Sequence, residues 1–416
     1  MSKATSRPIT ECQVCRSPNL ASVLFLAYVA PVNSMVRVGT RASEQACYPL
    51  EWLRCGNCGL VQIGTEVDAD VLFPPTYPYR SGTTRILRDN FADLYREAKA
   101  DLQLGPKDLV VDIGSNDGTL LSNFANGGHP VLGIEPSGAG DVANQRGIRT
   151  KIGFFSEETA KAARAEFGPA KVITAANVFA HIGNVHGVVR GILSLLAPGG
   201  VFISENHYLG DLLRTLQYDT VYHEHLRYYS VGSLIELLRR HEMEVFHVRR
   251  IPTHGGSIRV YSCRRGERPI RDSVTAFLAE ERAAGIGDGS AFVDFRRRVR
   301  QSKLDLHALL APLKKAGARI YGIGAPSRAS TLINYVGLDD SIIECILEVP
   351  GSDKLDKYLP STRIPVLEEA KLFADQPEYA MFLSWHIGEE LAPKLREKGY
   401  RGRFIVPLPE PRVLTQ

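Results

Sequence analysis

The chain has 416 residues, of which 44% are hydrophobic and 23% are charged. These proportions are those of a soluble globular protein, and they exclude global disorder and a collagen-like fibre. Fifty basic residues against 46 acidic ones leave a net charge of +4, which is too small to favour nucleic acid or an anionic membrane as a partner.

The sequence contains no signal for a membrane or for secretion. It has no run of about 18 apolar residues, so we expect no membrane span, and the polar residues 1–10 lack the apolar core of a signal peptide. These features predict a cytoplasmic protein. Its seven cysteines are then expected to be thiols or metal ligands rather than disulfides.

The N-terminal region, residues 1–80, contains two closely spaced cysteine pairs, Cys12 with Cys15 and Cys55 with Cys58. A gap of two residues lets both sulfurs of a pair reach one ion, and four thiolates satisfy tetrahedral zinc. A four-cysteine site has no open position for substrate, so the zinc is expected to be structural. We predict a zinc-binding domain here, with four reduced core thiols as the alternative.

Strands and helices alternate from residue 85 onward, which is typical of a parallel α/β sheet. A second, shorter alternation begins at the predicted strand 319–323. The fold class predicted is therefore α/β, with the zinc-binding domain followed by two Rossmann-like parallel-sheet domains. Their predicted bounds are 81–260 and 261–416.

A glycine-containing loop follows the first predicted buried strand, 109–113. Gly114 and Gly118 are four residues apart, which is not the G-x-G-x-x-G of dinucleotide-binding proteins, and the loop has no P-loop lysine. This spacing favours a ligand without phosphates. Glu135 ends the next predicted strand, 21 residues after Gly114, where a carboxylate can accept both ribose hydroxyls of an adenosine.

These residues resemble the class I methyltransferases that use S-adenosylmethionine. The loop motif of that class, D-x-G-x-x-x-G, is matched here by Asp112, Gly114 and Gly118. NAD is the alternative cofactor. The cofactor-binding residues that the resemblance implies are Asp112, Gly114, Asn116, Gly118, Glu135 and Asn177.

A dense cluster of titratable residues, 219–229, follows the predicted strand 201–205, whose C-terminal end is where an open sheet binds ligands. Within it, His225 can remove a moderately acidic proton. The phenol of Tyr222 can donate to a developing oxyanion, and the carboxylate of Glu224 can orient an imidazole.

Other interpretations of this cluster remain. His223 and His225 lack the usual spacing of helical zinc ligands, which disfavours a metal. A purely structural hydrogen-bond network is the other alternative. His181 follows the third predicted strand and is expected to face the same cleft, with a core histidine as its alternative.

Along essentially its full length, the chain resembles the three-domain C-methyltransferases that act on nucleotide-linked deoxysugars. Those enzymes combine a zinc-binding N-terminal domain, a methyltransferase domain and a Rossmann-like C-terminal domain. Within that family the chain is most similar to the C-3-methyltransferases of the tetronitrose and kijanose pathways. The segments that carry the resemblance are the two cysteine pairs, 77–81, 112–118, 177–181, 222–225, 254–261 and 322–327.

The resemblance implies antibiotic-sugar biosynthesis with a dTDP-linked 3-amino-2,3,6-trideoxy-4-keto hexose as substrate. The ketone acidifies the proton on C-3, and removing that proton gives an enolate that attacks the methyl group of the sulfonium donor. We predict His225 as the base, with Glu224 polarising it or acting in its place. Tyr222 would stabilise the enolate oxygen, and His181 and Tyr79 would position the sugar.

The resemblance places the nucleotide diphosphate on the C-terminal domain, where the loop 322–327 opens a helix whose amides can meet phosphate. The sequence departs from the family pattern at Ser361, where glycine is usual, and at Glu348, where aspartate is more usual. The predicted substrate contacts are Tyr77, Ser81, His254, Arg259, Ser327, Arg328, Lys354 and Tyr358.

Several other functions remain possible from the sequence. One is C-3 methylation of a 4-keto sugar without the amine, and another is O- or N-methylation of a small molecule. A zinc-ribbon RNA-binding protein is disfavoured by the charge, and an oxidoreductase by the missing third glycine after Gly324. No assembly signature is visible, which favours a monomer.

Overall fold

The computed structural model describes residues 5–72 and 85–414. These residues form three regions in the predicted order, each built around a β-sheet, and the predicted α/β fold class is confirmed. The predicted site residues Tyr77, Tyr79 and Ser81 lie outside the described residues. Every helix in the described part is too short or too polar to cross a bilayer.

The N-terminal domain is organised around an antiparallel sheet in which two long strands pair along most of their length. Alternate side chains of the second long strand are buried, including Trp52, which gives this small domain a core. Its elements are β1 (Ser6–Pro8), β2 (Leu20–Val29), β3 (Val36–Arg37), β4 (Tyr48–Cys55), β5 (Val61–Ile63), β6 (Thr65–Val67) and α1 (Ala69–Leu72).

The central domain is a seven-stranded, mostly parallel sheet flanked by helices. Its elements are α2 (Arg85–Leu102), β7 (Leu109–Ile113), α3 (Thr119–Asn126), β8 (Val131–Glu135), α4 (Ala139–Gln145), β9 (Thr150–Ile152), α5 (Glu157–Phe167), β10 (Ala170–Ala176), α6 (Val185–Leu195), β11 (Leu196–His207), α7 (Leu209–Arg214), β12 (Arg227–Tyr228), α8 (Val231–Arg239), β13 (Met243–Ile251) and β14 (Ser257–Arg264).

The strand order of this sheet is β13-β14-β11-β10-β7-β8-β9, and it reverses direction between β7 and β10. Such a switch point leaves a crevice at the carboxyl ends of the strands, where open α/β sheets bind their ligands. Strand β14 is antiparallel to β11 and runs to Arg264, so the sheet extends past the predicted domain boundary at residue 260.

The C-terminal domain repeats this architecture on an eight-stranded sheet. Its elements are α9 (Asp272–Ala283), α10 (Ala291–Lys315), β15 (Ile320–Ile323), α11 (Ser327–Val336), β16 (Cys345–Glu348), β17 (Lys357–Tyr358), β18 (Pro365–Glu368), α12 (Ala370–Asp375), β19 (Tyr379–Phe382), α13 (Gly388–Glu397), β20 (Arg403–Val406) and β21 (Arg412–Val413).

Two short strands each pair with the sheet of a neighbouring domain. Strand β12 pairs with β5 of the N-terminal sheet, and β3 pairs with β17 at one edge of the C-terminal sheet. Because β12 begins two residues after His225, the predicted catalytic segment is attached directly to the N-terminal domain.

Candidate active site

The four cysteines of the two pairs meet at one point. All four sulfurs lie within 4.8 Å of one another, with Cys12 Sγ 3.5 Å from Cys58 Sγ and Cys15 Sγ 3.5 Å from Cys55 Sγ. Backbone amides of the turns lie 3.4 Å from the sulfurs of Cys12 and Cys55, which favours thiolates. The hydrogen bond with Cys58 lowers the pKa of Cys12 to about 5. This donor set fits tetrahedral zinc.

The glycine loop, residues 114–118, makes a tight turn at the carboxyl end of β7. Gly114, Asn116 and Gly118 all have left-handed backbone conformations, with φ of 67°, 51° and 76°. A Cβ on Gly114 would lie 2.5 Å from a methyl group of Val178, so this position requires glycine. The loop therefore packs directly against the segment that follows β10, which contains Asn177.

Glu135 is the carboxylate at the end of β8. It is 6% exposed, and its two oxygens accept hydrogen bonds of 2.9 Å from the backbone amides of Asn116 and Ser137. Asp112, at the carboxyl half of β7, accepts a 2.6 Å hydrogen bond from Thr174, and burial raises its pKa to about 7. The structure thus brings the six predicted cofactor residues together at the switch point of the sheet.

We expect Glu135→Gln to weaken S-adenosylmethionine binding by about 10- to 100-fold. Hydrogen bonds to a charged group contribute about 1.5–3 kcal/mol, and the amide accepts less strongly than the carboxylate. Isothermal titration calorimetry with the cofactor measures the change. Glu158→Gln, which alters an exposed carboxylate of the same domain, is the control, and equal dissociation constants for the two variants would contradict the assignment.

The predicted base, His225, lies between a 3-10 turn (Tyr218–Thr220) and β12. We term residues 217–226 the catalytic loop because they include predicted catalytic residues. The Nδ1 atom of His225 is 3.0 Å from the carbonyl oxygen of Thr220. A carbonyl only accepts, so Nδ1 carries the proton and Nε2 presents a lone pair. Burial, followed by the neighbouring His181 and His207, lowers the pKa of His225 well below 6.5, so the ring is neutral at pH 7.

Two predicted residues surround this imidazole. The ring of Tyr222 lies over it, with 4.1 Å between centroids, and the ring of His181 meets it edge-on at 4.8 Å. His181 is brought there because Leu226 donates to the Ala180 carbonyl at 3.0 Å. The buried guanidinium of Arg227 adds hydrogen bonds to the carbonyls of Ile182 and Gly183. Base, phenol and second histidine therefore share one site.

The Nδ1 atom of His225 faces the Thr220 carbonyl. Glu224, which was predicted to polarise His225 or to act in its place, lies in the same loop. Its carboxylate is 3% exposed and accepts a 2.7 Å hydrogen bond from the side-chain amide of Asn33. Asn33 comes from the N-terminal domain, in the loop after β2. The sequence analysis missed it, and no motif surrounds it that could have indicated a role.

Two predicted substrate contacts are engaged in buried ion pairs. Arg259 is fully buried, and its guanidinium donates to Glu205 at 2.8 Å and to Glu97, so it supports the sheet rather than meeting a substrate. Arg328 is 6% exposed and donates two hydrogen bonds to Asp219. A contact of these two side chains with substrate stays a prediction, and in the structure their guanidinium groups bind these carboxylates.

Three histidines of the central and C-terminal domains, His207, His254 and His386, lie near one another. His254 has a left-handed backbone (φ 55°), its carbonyl accepts a 2.8 Å hydrogen bond from His207 Nε2, and burial lowers its pKa to about 4. His386 Nδ1 lies 3.0 Å from a guanidinium nitrogen of Arg328. His207 and His386 were not predicted, because each stands alone in the sequence.

The start of α11 repeats the geometry of the cofactor loop. Glu348, at the end of β16, accepts 2.9 Å hydrogen bonds from the backbone amides of Ala325 and Val349, much as Glu135 does in the central domain. Ser327 is the first residue of α11, and Lys354 Nζ donates to the Ala325 carbonyl at 2.5 Å. These residues surround the loop 322–327.

Tyr358 lies apart from this loop, at the junction with the N-terminal domain. It belongs to β17, which pairs with β3, and its phenol oxygen accepts from Gly39 at 3.3 Å. The guanidinium of Arg363 covers its ring at 3.9 Å. In this structure Tyr358 therefore fixes one domain to the other.

Comparison with known proteins identifies the same three regions. A zinc binding domain model matches residues 12–73, a methyltransferase domain model matches 80–248, and a C-methyltransferase C-terminal domain model matches 252–409. The C-methyltransferase NovU of Streptomyces niveus is 32% identical over 412 residues, which cover 98% of each chain.

Among solved structures, the chain is similar to a SAM-dependent methyltransferase from Anabaena variabilis, with 16% identity, 43% of this chain and 86% of that chain covered, and a TM-score of 0.34. The glycopeptide N-methyltransferase MtfA complexed with S-adenosylmethionine gives 14% identity, 42% and 93% coverage, and a TM-score of 0.33.

The chain belongs to the C-methyltransferase family. It is an S-adenosylmethionine-dependent C-methyltransferase, and the predicted cofactors, S-adenosylmethionine and zinc, are confirmed. The residues predicted to hold the methyl donor are Glu135 and the glycine loop, and the four cysteines meet as a group that could hold the metal.

Proposed function

We propose that this enzyme transfers a methyl group to C-3 of a dTDP-linked 3-amino-2,3,6-trideoxy-4-keto hexose, in the biosynthesis of an antibiotic sugar. The observation that carries this proposal is the neutral imidazole of His225. Its Nδ1–H faces the Thr220 carbonyl, so Nε2 carries the lone pair, and the ring of Tyr222 lies 4.1 Å away, centroid to centroid. O- and N-methylation use a nucleophile that already has a lone pair, whereas C-methylation requires a positioned, unprotonated base that removes a carbon-bound proton.

The residues of the catalytic loop fit an enolisation. His225 Nε2 takes the C-3 proton, and the electron pair of that C–H bond becomes an enolate with its charge on the C-4 oxygen. Tyr222 donates its phenolic proton as a hydrogen bond to that oxygen. The glycine loop and Glu135 would hold S-adenosylmethionine at the same edge of the sheet. When bound, it would supply an electrophilic methyl group to C-3 and leave as S-adenosylhomocysteine. The two domains around the site would hold C-3 of the sugar and the methyl carbon in line for the transfer.

The C-terminal domain is proposed to bind the nucleotide diphosphate. Its loop 322–327 opens α11, and helix N-termini favour phosphate because their free amides point outward. Lys354 adds a positive charge beside the Ala325 carbonyl, although burial lowers its pKa. His181, Tyr79 and His254 are proposed to contact the sugar between the two domains.

The purified protein should convert S-adenosylmethionine and dTDP-3-amino-2,3,6-trideoxy-4-keto-glucose into a product with one added methyl group. Mass spectrometry detects the transfer, and carbon-resolved NMR should place the new methyl on C-3. A methyl on nitrogen or oxygen would keep the cofactor assignment and contradict the enolate mechanism. The corresponding sugar with a C-3 hydroxyl is the comparison substrate, and a higher kcat/KM for it would contradict the proposed amine.

A further inference from the structure

The catalytic loop is attached to the C-terminal domain through one buried carboxylate. Asp219 is fully buried in the 3-10 turn, and Arg328 donates to its two oxygens from Nε at 2.7 Å and from Nη2 at 2.8 Å. The indole Nε1 of Trp385 donates a third hydrogen bond of 2.7 Å. Burying two charges is costly unless the two groups are well aligned and fully hydrogen-bonded. This pair therefore fixes the position of residue 219.

A second contact fixes the same segment two residues later. Thr331, one turn along α11 from Arg328, donates its hydroxyl to the Val221 carbonyl at 2.8 Å, and both residues are buried. Helix α11 therefore holds the chain on both sides of Thr220. The carbonyl of Thr220 accepts the hydrogen bond that Nδ1–H of His225 donates.

From this arrangement we infer that Asp219, Arg328 and Thr331 are positioning residues for the base. They fix the peptide whose carbonyl sets the tautomer and orientation of His225, so the C-terminal domain controls proton abstraction as well as binding substrate. This inference rests on the proposed role of His225. It also assigns Arg328 to the catalytic loop rather than to the diphosphate.

The contact that can be removed with least disturbance is the Thr331 hydroxyl. Thr331→Val is nearly isosteric and removes the donor, whereas Thr331→Ser retains it. Ser330→Ala is the matched control, because it removes another buried hydroxyl of α11 that contacts Asn334 rather than the loop. Arg328→Lys is the second variant, since it keeps the charge and loses the paired geometry.

The measurement is exchange of the C-3 proton with deuterium oxide. It is carried out with the dTDP-linked 3-amino-4-keto sugar and S-adenosylhomocysteine, so that no methyl group is transferred. We expect Thr331→Val to lower the exchange rate at saturation by about 10²-fold, because small misplacements of a reacting group have effects of that size. KM and the dissociation constant of S-adenosylmethionine should change less than about 3-fold, and Thr331→Ser should recover most of the rate.

A double-mutant cycle separates positioning from a general loss of structure. If Thr331 acts through His225, then Thr331→Val should lower the rate no further in the His225→Asn background. Additive losses, or a Thr331→Val rate equal to that of Ser330→Ala, would overturn the inference while leaving the wild-type activity and the proposed function intact. Full activity of His225→Asn would overturn both the proposed base and this inference.

Discussion

His225→Asn should lower both C-3 proton exchange and methyl transfer by about 10²–10⁴-fold, the range that a positioned general base contributes. The substitution is chosen because the asparagine side chain is of similar polarity and still donates toward the Thr220 carbonyl, which holds Nδ1 at 3.0 Å. It removes the Nε2 lone pair together with the ring that contacts Tyr222 and His181. The rates are measured by NMR of the sugar in deuterium oxide and by formation of S-adenosylhomocysteine.

The control for this variant is His241→Asn, which alters another histidine of the same domain, paired with His186 outside the catalytic loop. Cofactor affinity should stay within about 3-fold in both variants, because the predicted cofactor residues lie on β7 and β8 and in the segments that follow β7 and β10. Unimpaired exchange in His225→Asn would identify another group as the base. Glu224→Gln would then be the next variant, since Glu224 is the buried carboxylate that directly precedes His225.

The pH dependence of the wild-type enzyme gives an independent check on the same residue. Burial holds the pKa of His225 well below 6.5, and the neutral form is the reactive one. The value of kcat should therefore stay level as the pH falls through 6.5 and decrease only at lower pH. The acidic limb should be absent from the residual activity of His225→Asn. An acidic limb at or above pH 6.5 in the wild type would indicate a different titrating group.

The cofactor half of the site was predictable because its signals are local. The strand 109–113 was predicted with the bounds that the structure gives, and its loop requires glycine where the backbone is left-handed. Glu135 follows at the end of the next strand, and neighbouring parallel strands end at the same edge. Spacing along the chain was therefore sufficient to place the carboxylate beside the loop.

The interfaces between domains were not predictable, because their signals are distant in the chain. Strands β3 and β12 have two residues each, which is too short for any periodic pattern. Asn33 and Glu224 are 191 residues apart, and Arg328 and Asp219 are 109 apart. An arginine that opens a helix after a glycine loop has the pattern of a phosphate ligand. Only the fold shows that the guanidinium of Arg328 is hydrogen-bonded to the buried carboxylate of Asp219.

Cys55→Ser should remove zinc from the protein and lower methyl transfer by more than about 10-fold, although no cysteine of the site contacts the catalytic loop. Structural zinc contributes about 10–16 kcal/mol to the folding of isolated zinc-finger peptides. Cys55 is buried at the end of β4 and lies 3.5 Å from Cys15. A loss of even several kcal/mol should lower the unfolding temperature of the N-terminal domain by more than about 10 °C.

The expected loss of activity follows from contacts between that domain and the catalytic loop or the strand β12 that follows it. Strand β5, which begins three residues after Cys58, pairs with β12, and Asn33 donates to Glu224. Cofactor affinity should change less than about 3-fold, because the glycine loop and Glu135 belong to the central sheet. Zinc content by plasma mass spectrometry, thermal unfolding and methyl transfer are measured together, with Cys47→Ser, an exposed thiol of the same domain, as the control. A zinc-free Cys55→Ser variant with full activity would show that the catalytic loop keeps its geometry without the N-terminal domain.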